Sequence, residues 1–222
     1  DEVDPAILRY EAATYFANLL TPYAALVTKL LARVADAGLK LRIIAPDHGP
    51  VWRKYIPGIL GLYADLAERK PSRKAVVVYG TMWHSTEKMA LAITEGLRNG
   101  GVDVKLMSMD VCHRSDVAYE VLDAAALIVG SSTLNNNLLP GMADILTYLK
   151  GLKPRNLMGA AFGSYGWSGE APRQIQEMLT EFKVDLLAEP VQTRHVPDPS
   201  VLARCYDLGR TIAEKICQKV NP

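Results

Sequence analysis

The chain has 222 residues, 49% of them apolar and 22% charged, with a net charge of +1, a globular composition long enough for one large domain or two modest ones. The balanced charge and the absence of basic clusters with interleaved aromatics exclude a nucleic-acid partner. No apolar run approaches the ~20 residues of a membrane helix, no signal peptide is read, and three cysteines without CxxC spacing (Cys112, Cys205, Cys217) fit packing roles in a reducing cytoplasm.

The chain begins at Asp1 rather than at methionine, as a piece of a longer protein would. Pro5 to Asn18 has helical spacing, with Ile7, Leu8, Ala12, Tyr15, Phe16 and Leu19 on one apolar side. Thr21-Pro22 reads as a cap followed by proline at the first helical position. That second helix runs to about Ala37 and closes at Gly38. Leu41 to Ala45 is read as a short strand delivering Pro46-Asp47-His48-Gly49-Pro50. A third helix spans Gly58 to Glu68, and Arg69 to Arg73, charged and proline-containing, reads as a linker. The domains are accordingly 1–70 and 71–222.

From Lys74 onward strands and helices alternate. The expected strands are Ala75–Tyr79, Asp103–Ser108, Ala125–Ser131, Leu157–Gly163 and Leu187–Gln192. The expected helices are Ser85–Asn99, Asp116–Leu122, Gly141–Leu149, Glu170–Phe182 and Pro199–Lys219. The central strands lack polar alternation, as strands covered on both faces must. Five such repeats over ~150 residues predict an α/β fold with a doubly wound five-stranded parallel sheet, binding ligand at the carboxyl ends of its strands.

The first strand breaks at Gly80 into Thr81–Thr86, dense in hydroxyls and free of lysine and arginine, before a helix begins at Ser85-Thr86-Glu87. Neither a Walker A string nor G-x-G-x-x-G occurs. A helix start carries unpaired amides and the positive dipole end, so hydroxyls and amides can wrap a phosphate without a cationic side chain. A flavin mononucleotide phosphate suits such a loop. The alternative is an ordinary turn whose Ser85 only caps the helix.

Two further loops meet the first if the sheet is doubly wound: Ser131 to Asn137, and Ser164 to Glu170. Asn and Ser groups suit the pyrimidine edge of an isoalloxazine ring, and Trp83, Tyr165 and Trp167 offer flat faces for stacking. Packing in the core or at its rim is the other fate open to each aromatic. Ser164 does not match a nucleophile elbow.

The strings VVYGTMWHSTEKMA, IVGSSTLNNNLLP and AAFGSYGWSGEA resemble the flavodoxin domain of flavodiiron proteins, oxygen or nitric oxide reductases, over Lys74 to about Val220. At Gly80 that family more often has aspartate, a change expected to alter loop stiffness without removing the phosphate site. DEVDPAILRYEAATYFANLLTPYAALV and IIAPDHGPVWR resemble the last part of the family's metallo-β-lactamase-like domain, which makes His48 the counterpart of the final diiron ligand. The family's H-x-E-x-D-H string is absent, and a lone histidine is more often structural than metal-binding.

The resemblance implies a flavodoxin-like FMN domain that relays electrons from a donor to a diiron site. Thr81, Ser85 and Thr86, with the backbone of Met82 and Trp83, are expected to hold the phosphate. Thr133, Asn135 and Asn136, with Tyr165, Gly166 and Trp167, are expected around the ring, and Ser132, Leu134 and Ser164 complete the set. It also implies an electron donor (rubredoxin, reduced F420 or an NAD(P)H-dependent reductase) and a head-to-tail homodimer or dimer of dimers. By itself the chain is expected to hold no diiron centre. The competing functions are a free flavodoxin-like electron carrier and an NAD(P)H:quinone reductase.

Overall fold

The valine- and alanine-rich runs lie side by side as a parallel sheet, because strands without polar side chains need cover on both faces. The structure, a computed structural model, describes residues 3–220. Its strands are β1 (Ser72–Gly80), β2 (Asp103–Ser108), β3 (Ala124–Leu134), β4 (Asn137–Leu138), β5 (Met158–Tyr165), β6 (Asp185–Leu186) and β7 (Val191–Arg194). The order β2-β1-β3-β5 continues into β6 and β7, which pair with β5 at Met158–Gly159 and at Phe162–Tyr165. The expected five-stranded sheet is therefore present, with its fifth column split. The expected strand Leu187–Gln192 is corrected: Pro190 lies in its middle and has no N–H to give to a ladder. Short β4 folds back antiparallel on the end of β3.

Among the described residues five helices cover the sheet: α4 (Ser85–Asn99) and α8 (Pro199–Val220) on one face, α5 (Arg114–Val121), α6 (Pro140–Leu152) and α7 (Glu170–Glu181) on the other. Helices α4 and α8 touch backbone to backbone. A Cβ on Gly96 would stand 2.1 Å from the Tyr206 carbonyl oxygen, and one on Gly209 2.2 Å from that of Ile93. Neither neighbour is a side chain that can swing away. Gly209→Ala is therefore expected to lower the unfolding free energy by about 2–3 kcal/mol, read as a lower urea midpoint. An unchanged midpoint would mean that the helices separate freely.

The N-terminal residues form α1 (Pro5–Tyr15), a π turn (Phe16–Leu20), a 3-10 turn (Thr21–Tyr23), α2 (Ala24–Asp36) and α3 (Ile56–Glu68). Asp4 caps α1, its carboxylate accepting from the Ala6 amide at 2.8 Å. Gly38 closes α2 in the left-handed conformation (φ 60), with its amide donating to Ala35 and that of Leu39 to Val34, a Schellman closure. Thr21 does not cap α2. Its hydroxyl donates backward to the Phe16 and Ala17 carbonyls, at 3.2 and 3.0 Å, which the widened π turn leaves within reach. The expected strand Leu41–Ala45 reduces to one bridge, Ile44 with Trp52, because a ladder needs a neighbouring strand and these residues are mostly exposed. Helix α3 starts two residues before Gly58.

The linker expected at Arg69–Arg73 is also corrected. Ser72 and Arg73 already belong to β1, and Arg69 is buried. The Arg69 guanidinium donates to Leu122 at 3.0 Å, to Val121 at 2.7 Å and to Arg155, all at carbonyl oxygens. Burial pushes its pKa down to about 10, against the pull of Asp123, so it remains charged at neutral pH. The N-terminal helices dock beside it: Phe16, Ala17 and Ala24 pack with Leu122, and the Tyr148 hydroxyl donates to Asn18 at 2.7 Å. No described helix is long and apolar enough to cross a membrane.

Candidate functional site

The strand order reverses at β1, with β2 on one side and β3, reached from β2, on the other, so the switch point at which such sheets form a ligand crevice lies between the carboxyl ends of β1 and β3. The loops after β1, β3 and β5 all arrive there. Three hydroxyls tie them together at the floor: Thr86 Oγ1 lies 3.0 Å from Ser132 Oγ and 2.9 Å from Ser164 Oγ, and those two are 3.4 Å apart. All three side chains are buried. One comes from the first turn of α4 and one each from the ends of β3 and β5, so the edges of the three loops are in direct contact.

The helix begins at Ser85 as expected, and the alternative in which Ser85 only caps it does not hold: Ser85 is the first helical residue. His84 occupies the cap position in the left-handed conformation (φ 62), and no side chain caps the helix. The His84 ring turns instead to Glu87, with Nδ1 2.6 Å from Oε2, while the Tyr79 hydroxyl donates to Oε1 at 3.1 Å. The hydrogen bond from His84 holds the Glu87 carboxyl below its usual range, and burial followed by Glu87 pushes the Tyr79 hydroxyl up. The first amides of α4 thus face the loop without a side-chain acceptor. Thr81 adds a second such group: its Oγ1 is sealed from water and has no partner. Buried hydroxyls are normally satisfied, so a ligand acceptor at this point would complete it. Gly80 leaves little room for another residue, since a Cβ there would stand 3.0 Å from Met142 Cγ and 3.1 Å from Leu139 Cδ1.

The second loop is a hairpin tip. Asn135 and Asn136 both have positive φ (49 and 60) between the paired Leu134 and Asn137, the geometry of a two-residue I′ turn. The third loop is held from behind by β7 and the residue after it: the His195 amide donates to Tyr165 at 2.7 Å, and Arg194 Nε donates to the Gly166 carbonyl at 3.0 Å. With its backbone tethered, this loop presents Trp167 outward at 96% exposure; Trp83 on the first loop is 83% exposed. Neither tryptophan packs in the core. No signal for His84, Glu87 or Arg194 was read from the sequence. The lead available for the first two was the His-x-x-Glu spacing across a helix start.

His48 lies apart on the N-terminal segment, exposed, its ring tilted against Tyr15 at 5.7 Å between centroids. No group of three or more His, Cys, Asp or Glu able to hold a metal occurs among the described residues.

The sequence pattern of the flavodoxin family matches residues 77–209. A nitric oxide reductase of Moorella thermoacetica is 47% identical over 97% of this chain and 54% of its own length. The solved structure of rubredoxin oxygen:oxidoreductase from Desulfovibrio gigas superposes with a TM-score of 0.97 and 39% identity, covering 100% of this chain and 56% of that one. The flavodiiron protein from Giardia intestinalis does so at 0.85 and 27%, covering 95% and 53%. The chain spans about half the length of these relatives.

Proposed function

This chain belongs to the flavodoxin family, among the flavodiiron proteins, and from that premise we propose that the crevice between β1 and β3 holds FMN and that the whole protein uses it to carry electrons. The observation that carries the reading is the uncapped start of α4 beside the partnerless Thr81 hydroxyl: amides, a dipole end and a free hydroxyl point where an anion fits. Thr81, Ser85 and Thr86, with the backbone of Met82 and Trp83, hold the phosphate. Thr133, Asn135 and Asn136 face the ring's polar edge. Tyr165, Gly166 and Trp167 border it, with Ser132, Leu134 and Ser164 supporting them. Bound FMN supplies reversible electron transfer in steps of one or two. The protein's part is to orient the ring through the tethered third loop, to stack aromatic faces on it, and to exclude water from the hydroxyl floor.

Residues 71–222 form the FMN domain in this reading, and residues 1–70 the end of a metallo-β-lactamase-like domain. A diiron centre does not fit the described residues alone, since residues 1–70 carry one histidine, His48, and no metal-holding group of His, Cys, Asp or Glu occurs among the described residues; His48 serves as a ligand only if the others come from beyond this sequence. The names of the relatives support an oxygen or nitric oxide reductase as the whole activity. Rubredoxin is the donor named by one of them, and a head-to-tail dimer is the assembly.

Titrating the flavin-free protein with FMN tests the reading. Tryptophan fluorescence is expected to fall on binding, and FMN to bind far more tightly than riboflavin. Trp167→Ala should remove part of the quench and shift the flavin potential. Equal affinity for the two flavins would remove the phosphate site. An unchanged spectrum, affinity and potential in Trp167→Ala would make that residue a bystander.

A further inference from the structure

The second loop should not be able to hold its shape alone. Strand β4 has two residues, both at least partly exposed, and a two-residue ladder is marginal in water. Its turn also keeps two consecutive non-glycine residues at positive φ, a conformation that persists only where the surroundings impose it.

Inside the tip, Asn137 Nδ2, donating to the Asn135 carbonyl at 2.9 Å, and Ser131 Oγ, accepting from the Leu139 amide at 2.9 Å, brace it; one side chain on another element adds more bonds than either. Gln174, in the second turn of α7, accepts from the Leu138 amide at 2.9 Å through Oε1. Its Nε2 donates to the Asn136 carbonyl and to Asn137 Oδ1, each at 3.1 Å. Both ends of the amide are thus used on three consecutive residues of the hairpin tip, which draws on one acceptor and both donors of the group. Two further contacts tie the same tip to the start of α7. Thr133 Oγ1 accepts from the Ala171 amide at 3.3 Å, and the Ser168 hydroxyl donates to Asn136 Oδ1 at 3.3 Å. Helix α7 begins directly after the third loop. The second and third loops are therefore mounted on one helix, while the first loop stands on α4.

We propose that Gln174 is a positioning residue for the flavin ring: without touching the cofactor, it sets where Asn135 and Asn136 stand relative to Tyr165, Gly166 and Trp167. The proposal rests on the FMN reading above. It separates ring recognition, governed from α7, from phosphate recognition, governed from α4. Gln174 thus acts on ring affinity and flavin potential and leaves the preference for FMN over riboflavin alone.

The test compares wild-type protein with Gln174→Ala and Gln174→Glu, measuring FMN and riboflavin affinity, the midpoint potential of bound FMN, and the melting temperature. Gln174→Ala removes all three bonds. Gln174→Glu keeps an acceptor for Leu138 but sets a carboxylate against the Asn136 carbonyl and Asn137 Oδ1. Both variants are expected to weaken both flavins by the same factor, roughly 5–30-fold for the loss of these bonds, and to shift the potential. If both bind the two flavins like wild type with an unshifted potential and merely melt lower, Gln174 is a structural tie and the proposal is wrong. Loss confined to FMN would equally overturn it, by placing Gln174 on the phosphate side. Should Gln174→Ala fail to fold, Gln174→Glu decides by the same readings. Wild-type protein that binds no FMN removes the underlying reading, and this proposal with it, a result distinct from either variant's failure.

Discussion

Arg69→Met is expected to lower the unfolding free energy by about 3–5 kcal/mol, the largest loss of stability predicted for a single side chain here. Methionine keeps an unbranched apolar stem but ends short of the guanidinium and offers no donor. Three carbonyls, of Val121, Leu122 and Arg155, would then lose a charged partner. Two of them belong to the end of α5, where helix carbonyls have no partner of their own and a cation also complements the dipole. Little water can replace the guanidinium at a site 8% exposed. At roughly 2–4 °C per kcal/mol for a chain of this size, the melting temperature should drop by about 6–20 °C. Arg69→Lys should recover part of this, keeping the charge without the fork. A fall of less than about 2 °C in Arg69→Met would show that these carbonyls find other partners.

The largest expected effect on binding is that of Thr86→Val, with FMN affinity reduced roughly ten- to a hundredfold, as loss of a hydrogen bond to a charged group implies. Thr86 is fully buried, and valine preserves its shape. The three hydroxyls of Thr86, Ser132 and Ser164 share three protons over three contacts, the longest being the 3.4 Å between the serines. One of them donates outward to a phosphate only by giving up an inner contact, and that long one is the weakest. Riboflavin should lose much less than FMN. Equal losses for the two would reassign Thr86 as a tether between strand ends.

The sheet was legible because its signals are local and redundant. The limits of β2 and α4 agree with the reading to the residue, since a polar-flanked apolar run and a hydroxyl-led helix start need no distant partner to be recognised. The ends of the three loops come together for the same reason, as the contacts among Thr86, Ser132 and Ser164 show: strand order follows from the alternation, and the loops follow from the order. What was not legible depends on residues far along the chain. Arg69 looked like part of a solvated linker, because a charged residue beside Lys70 and Pro71 says nothing about carbonyls 52 and 53 positions away. Gln174 lies in the expected helix Glu170–Phe182, whose spacing says nothing about a hairpin 36 to 38 positions away. Leu41–Ala45 has strand-like composition, but composition supplies no pairing partner, and one bridge is what remains. The cap of α4 was not legible, because a left-handed histidine at that position is not encoded by any capping preference.

The backbone contact of α4 with α8 also has a consequence in time. The Arg210 guanidinium donates to the Asn99 carbonyl across 111 positions of sequence. At roughly 5–20 residues per second of synthesis, α4 leaves the ribosome some 5–20 seconds before the helix that covers it. Ile93 and Leu97, fully buried in the finished protein, share their core with Leu208, Ile212 and Ala213 of α8 and wait that interval for this part of their cover. Gly96 on α4 and Gly209 on α8 let the two backbones meet directly, a fit made for α8 in particular. The face of the sheet carrying α4 is thus the last to close during synthesis, and a nascent chain halted before α8 would offer a chaperone its clearest target on that face.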